Sequence, residues 1–175
     1  MSYLLGPLSI PLWRMIHVRW QHLPMSGEGA RRFAGRWNMK GWPALYLSTD
    51  QVTAVAEFYQ GIRQPGTLVP YELTATRIAD LTNGHGGPCD NRVAEALAVD
   101  WKNIAVLDGQ VPSSWTLVQP LIAAGAEGAL VPSAQNRGGT NLVLWRWRDA
   151  DGAGEGARLT LLDPEAALAG RGPSR

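Results

Sequence analysis

Residues 21–43 constrain this chain more than any other segment. They carry neither the 3.6-residue period of an amphipathic helix nor the two-residue period of a strand, and they are rich in Gly, Arg and Trp. Connections longer than about 12–15 residues without structure of their own are uncommon unless they are functional or disordered. Three rings within the segment, Phe33, Trp37 and Trp42, argue against disorder. The rest of the chain must therefore fold as a frame around a long ordered loop. With 175 residues, 45% of them apolar and 18% charged, the frame is expected to be one domain over 1–175. Its core is expected at about 12–162, with a frayed tail at about 170–175.

The frame reads as alternating short elements. Residues 12–19 are β-rich, with Leu12, Arg14, Ile16 and Val18 on one face at period two; Arg14 is a charge among apolar neighbours. Residues 44–48 form a short strand. Ser48, Thr49 and Asp50 then offer N-cap oxygens for a helix to about Gly61, with Val52, Val55, Ala56 and Tyr59 as its stripe and Glu57 beside it. Further strands are expected at 67–73, 75–79, 128–131, 141–147 and 158–162. Helices are expected at 91–99 and 114–124, the second with a break or kink at Pro120, and a solvated turn at 149–157. The fold class is α+β, a single compact domain with a mixed or antiparallel central sheet. No βαβ periodicity supports a doubly wound fold. Most of the eight tryptophans are expected in the core.

Composition excludes several functions. A net charge of +1 lacks the electrostatic footprint of a duplex DNA or RNA binder. Cys89 is the single cysteine, so neither a disulfide framework nor a thiolate zinc cluster is possible within the chain. His17, His22 and His85 have no HxH or HExxH spacing, so no metal is expected. No apolar run approaches the ~20 residues of a membrane span. The start lacks a basic n-region and carries Pro7 and Pro11. A cytoplasmic protein without membrane contact is the expectation.

Three stretches can carry chemistry. SGEGARRFAGRWN, residues 26–38, sets Arg31, Arg32 and Arg36 among glycines. Paired guanidinium donors and approachable backbone amides suit a diphosphate, although a solvated basic turn has the same composition. Neither GxGxxG after a strand nor GxxxxGK[ST] is present. Tyr46 and Glu57 stand on a strand and on the helix after it. A carboxylate beside an apolar stripe suits a site where positive charge develops, and an exposed helical charge is the alternative. In VPSAQNRGGTN, residues 131–141, Ser133 can donate to a ligand or cap its own turn. No GxSxG or Ser-His-Asp arrangement makes it a nucleophile. HGGPCD, residues 85–90, reads as a surface turn.

In this order, SGEGARRFAGRWNMKGWPALYLSTD, AVAEF and LVPSAQNRGGTNLVLW resemble the RES-domain family over about residues 12–147. Ala34 departs from the pattern, which more often has a second glycine before Gly35-Arg36-Trp37-Asn38. The resemblance implies a fold similar to ADP-ribosyltransferase toxins. It also implies a bacterial toxin of a type II toxin–antitoxin system that consumes NAD+. The nicotinamide–ribose bond would be cleaved and the ADP-ribosyl unit passed to a protein, phosphate or water. Its implied partner is an antitoxin with an Xre-type helix-turn-helix region.

On that reading Glu57 is the anion near the ribose and Tyr46 packs on or bonds the nicotinamide ribose. Arg31 clamps the phosphates, with Arg14 and Arg36 as further candidates. Ser133 and Asn141 orient nicotinamide or ribose hydroxyls, and Trp37 and Asn38 support the loop. Two other readings stand beside it. One is a catalytically dead relative that only binds a partner. The other is a single-stranded nucleic-acid module using alternating Trp and Arg at 145–148.

Overall fold

The structure, a computed structural model, describes residues 3–149 and 151–168. The tail expected to fray at 170–175 lies outside the described residues. The strands are β1 (Leu5–His17), β2 (Leu45–Ser48), β3 (Gly66–Asp80), β4 (Gly128–Pro132), β5 (Thr140–Leu144), β6 (Trp147–Arg148) and β7 (Ala157–Leu161). The helices are α1 (Glu28–Phe33), α2 (Gln51–Tyr59), α3 (Asn91–Ala98) and α4 (Ser113–Ala123).

One sheet runs β1-β2-β5-β4-β3-β7-β6, and β1 also pairs with β3. The strands β1, β2, β5, β4 and β3 therefore close into a ring, from which β7 and β6 extend. Pairing is antiparallel except for β3–β4 and β6–β7. The expected α+β class with a mixed sheet is thus what the chain adopts.

Period-two alternation explains the core. On β5, Leu142 and Leu144 join one buried cluster, with Leu12, Leu45, Leu47, Tyr71, Leu73 and Leu159, while Val143 joins the other. This second cluster packs the sheet against α3 and α4 through Val93, Ala96, Val118, Leu121 and Ile122. Tyr46 packs against the helix-side cluster, and the same alternation assigns Ser48 and Asn141 to that face.

Several boundaries differ from the sequence reading. Strand β1 begins at Leu5, ahead of the expected residue 12. Pro11 is accommodated because β1 pairs with β3 along one edge and with β2 only through Trp13 opposite Ser48. Pro7 lies where the register shifts between Gly6 and Leu8. The strand stops at His17, where a 3₁₀ turn, Val18–Trp20, takes over. The two strands expected at 67–73 and 75–79 are one, β3. The last core strand ends at Leu144, because the amides of Trp145 and Arg146 both turn to the carbonyl of Glu127. A π-helical turn, Asn103–Leu107, was not anticipated.

The long loop is not wholly irregular either. Helix α1 occupies 28–33, too short to show an apolar stripe. Glu28 in its first turn and Arg31 and Arg32 in its last complement the helix dipole. The tryptophans also depart from expectation: among the described residues only Trp37 and Trp145 are buried, and Trp20 and Trp42 are exposed. Half-buried Trp115 and Trp147 act through their N–H groups, as does Trp145. Trp115 donates to Gly35 O (2.9 Å), Trp145 to Trp37 O (2.9 Å) and Trp147 to Met25 O (3.1 Å). Three indoles thus tie the segment to α4 and to the end of the sheet.

Candidate active site

Asp50 starts α2, its carboxylate accepting from the Thr53 amide at 2.8 Å, so of the three candidate capping oxygens this one is used. Two turns on, Glu57 faces the ends of β4 and β5 and is half-buried rather than an exposed helical charge. Ser133 Oγ–H donates to Glu57 Oε1 at 2.6 Å, and Asn141 Nδ2 donates to the same oxygen at 2.7 Å. Oε2 receives no hydrogen bond among the described residues.

The turn after β4 holds Ser133 in place. Its Oγ accepts from the amides of Gln135 (3.2 Å) and Asn136 (2.9 Å). Asn136 Nδ2 donates to Thr53 Oγ1 (2.8 Å), whose hydroxyl donates to Asp50 (2.7 Å). The turn is therefore latched to the first turn of the helix that carries Glu57. Gly139 makes this possible, since any side chain there would overlap Thr53.

Two cavities meet at this carboxylate. The smaller, about 290 Å³, is lined by Trp13, Arg14, Met15, Ser48, Phe58 and others. The larger, about 740 Å³, is bounded by Phe33, Arg36, Trp101, Lys102 and Gln135 among others. Tyr46, Glu57 and Asn141 line both.

The Tyr46 hydroxyl is engaged with the loop: it accepts from the Trp37 amide (3.1 Å) and donates to Asn38 Oδ1 (2.7 Å). Burial pushes its pKa up. Asn38 in turn donates to the carbonyls of Ala30, Met39 and Trp42. Trp37 and Asn38 accordingly support the loop. Gly35 fits against this network because a side chain there would overlap the Tyr46 hydroxyl and the Asn38 amide.

The arginines separate. Arg36 lines the larger cavity, with Nη1 on the carbonyls of Ala96 and Val99 (both 2.9 Å). Burial lowers its pKa, opposed by the charge of Glu57. Arg14 lines the smaller cavity and donates to Pro24 O (3.1 Å), its pKa also lowered by burial. Arg31 lines neither. It lies exposed on α1, paired to both oxygens of Glu28 at 2.7 and 2.6 Å, and Arg32 shares that carboxylate at 2.8 Å.

The sequence thus named the carboxylate and both its donors, although it gave Ser133 and Asn141 to a ligand rather than to Glu57. It did not identify Ser48, Thr53 or Asn136, whose types fit caps and turns equally well. The strand register Ser48↔Asn141 is the signal that distinguishes Ser48, and it exists only in the folded sheet.

A glutamate pinned through one oxygen where two cavities meet, on the helix-covered face of a closed mixed sheet, defines an α+β protein with a carboxylate-centred cleft. The chain belongs to the RES domain family, whose model matches residues 11–163. A Toxin Res of Yersinia enterocolitica serotype O:8 / biotype 1B is 35% identical over 69 residues, 39% of this chain. The match spans 45% of that relative, less than half its length. A Toxin Res of Photorhabdus laumondii subsp. laumondii is 25% identical over 127 residues, 71% of this chain and 78% of that one. The fold is similar to that in a crystal structure of the M. tuberculosis MbcT–MbcA toxin–antitoxin complex. The TM-score is 0.51, with 24% identity over 80% of this chain and 75% of that one.

Proposed function

We propose that this chain is a toxin of a bacterial toxin–antitoxin pair that cleaves the nicotinamide–ribose bond of NAD+ and transfers the ADP-ribosyl unit to an acceptor. One observation carries the reading: Glu57 is anchored through Oε1 by Ser133 and Asn141, which leaves Oε2 where two cavities meet. Breaking this bond leaves positive charge on the ribose, and nicotinamide departs neutral without needing a proton. A fixed carboxylate beside the ribose favours that transition state over the ground state. The acceptor then adds to the ribose carbon, water losing a proton to solvent as it does so and phosphate attacking through an already anionic oxygen.

The other residues fit such a substrate. Arg36 and Lys102 line the larger cavity, which suits the diphosphate half, with Phe33 and Trp101 at hand for stacking. Arg14 and Phe58 line the smaller one, which suits the nicotinamide half. Arg31 can take a phosphate only by exchanging Glu28 for it. Ser133 and Asn141 serve the reaction by orienting Glu57. An antitoxin of the Xre helix-turn-helix type is the neutralising partner we infer, and the cytoplasm the site of action. The toxin names of the relatives and the antitoxin complex of the structural neighbour support this reading.

Purified protein incubated with NAD+, with and without phosphate and a cell lysate, tests it. NAD+ loss that requires phosphate identifies phosphorolysis, and a labelled lysate protein identifies protein transfer. Neither loss nor labelling would leave a partner-binding role.

A further inference from the structure

We infer that Ser48 is a positioning residue for the glutamate site, acting through the orientation of the Asn141 side chain; the inference rests on the reading of Glu57 given above. Ser48 ends β2 and stands directly opposite Asn141 of β5. Side chains opposed across an antiparallel pair lie on the same face within reach of each other. The register is pinned one step further on, where Thr49 donates to Thr140 O from both its amide (3.0 Å) and its hydroxyl (3.1 Å).

The chemistry of the partners sets the direction of every proton. A carboxylate only accepts, so the Asn141 atom 2.7 Å from Glu57 must be the NH₂ group. The carboxamide oxygen then points the other way, to Ser48 Oγ at 2.7 Å, and the serine must be the donor. Ser48 is 3% exposed and Asn141 8% exposed, so bulk water reaches neither bond freely, and a replacement donor would have to come from the smaller cavity that both residues line. Without the hydroxyl, Asn141 Oδ1 is a buried acceptor lacking its donor. Its amide then gains by rotating to find another, and each rotation withdraws the NH₂ from Glu57. The Glu57 carboxylate would keep Ser133 and lose its second anchor, so Oε2 would no longer be fixed between the two cavities.

A role limited to packing predicts something different, and kinetics separate the two. Ser48→Ala is expected to lower kcat for NAD+ consumption about tenfold, the worth of one such hydrogen bond, with KM within about twofold. Ser48→Thr, which keeps the hydroxyl, should restore most of the rate. In an Asn141→Ala background, Ser48→Ala should cost nothing further, because its effect passes through Asn141. An equal loss in both backgrounds, or an unchanged kcat in Ser48→Ala, would overturn the assignment.

A second readout needs no activity. The Asn141 side-chain amide, identified by nitrogen-15 NMR as the pair absent from Asn141→Ala, should give two well-separated, exchange-protected protons in the wild type. They should lose that protection in Ser48→Ala and keep it in Glu57→Gln, whose carbonyl still accepts. Signals unaffected by Ser48→Ala would contradict the inference even if the wild type consumed no NAD+. Absent turnover with the predicted signals would instead count against the functional reading alone.

Discussion

Ala34 adopts φ 60° and ψ 176°, a conformation that is essentially glycine's. It closes α1 with its amide on the carbonyl of Ala30 (2.9 Å) and is followed by the Gly35–Asn38 bridge that carries Trp37. The position at which the sequence departs from the family pattern it resembles thus coincides with strained backbone. Ala34→Gly relieves that strain at some cost in unfolded-state entropy, a net stabilisation of about 1 kcal/mol. A higher urea midpoint at unchanged slope is the expected result, and a midpoint at or below wild type would contradict it. At the same scale, hydrogen bonds from Arg31 and Arg32 hold the Glu28 carboxyl down to about 2 from its ordinary 4.5. The fold therefore favours the ionised form. Its contribution to stability is fully present above about pH 4.5 and is lost as pH falls through about 2. The group is exposed, so the contribution is small and weakens with salt. A carbon-13 titration should put the midpoint near 2; an unshifted midpoint would show both arginines detached.

At the scale of elements, three indole N–H groups help order the long loop, beside the Asn38 network and the burial of Trp37. Each indole removes one carbonyl of a connecting segment from the list of buried unpaired groups. Changing Trp115, Trp145 or Trp147 to Phe should cost about 1–2 kcal/mol apiece. The bonds to Gly35 and Trp37 also flank the Tyr46 contact, so the Trp115 and Trp145 variants should slow turnover, and Trp147→Phe should not. Urea unfolding together with an NAD+ assay checks both halves, and equal kinetic losses in all three would refute the distinction. This is also where the sequence was least legible. Tryptophan reads as core by its size, and nothing in residue type shows whether its N–H is the part that matters. Helix α1 has too few residues for a stripe, and the start of β1 at Leu5 depends on an open edge for its prolines that exists only in the folded sheet. Glu57 was legible through the resemblance, since its place beside an apolar stripe fits an exposed helical charge equally well. Ser48 was not, because its partner lies 93 residues away along the chain.

For the whole molecule, the closed ring of strands forms the back wall of the cleft, and α2 delivers Glu57 to it. Class and sheet type followed from the order of short elements. The pairing of β1 with both β2 and β3 did not, because strand order depends on contacts no local pattern encodes. Net charge near zero predicts that single-stranded oligonucleotides bind without a steep salt dependence or not at all. Tight binding that falls sharply with salt would revive the nucleic-acid reading.

The most direct test of the account is NAD+ turnover by Glu57→Gln beside the wild type. Glutamine keeps a carbonyl for Ser133 and Asn141 and replaces the free carboxylate oxygen with an uncharged NH₂. The account predicts NAD+ binding within a few-fold and kcat lower by orders of magnitude. Turnover at the wild-type rate would contradict it.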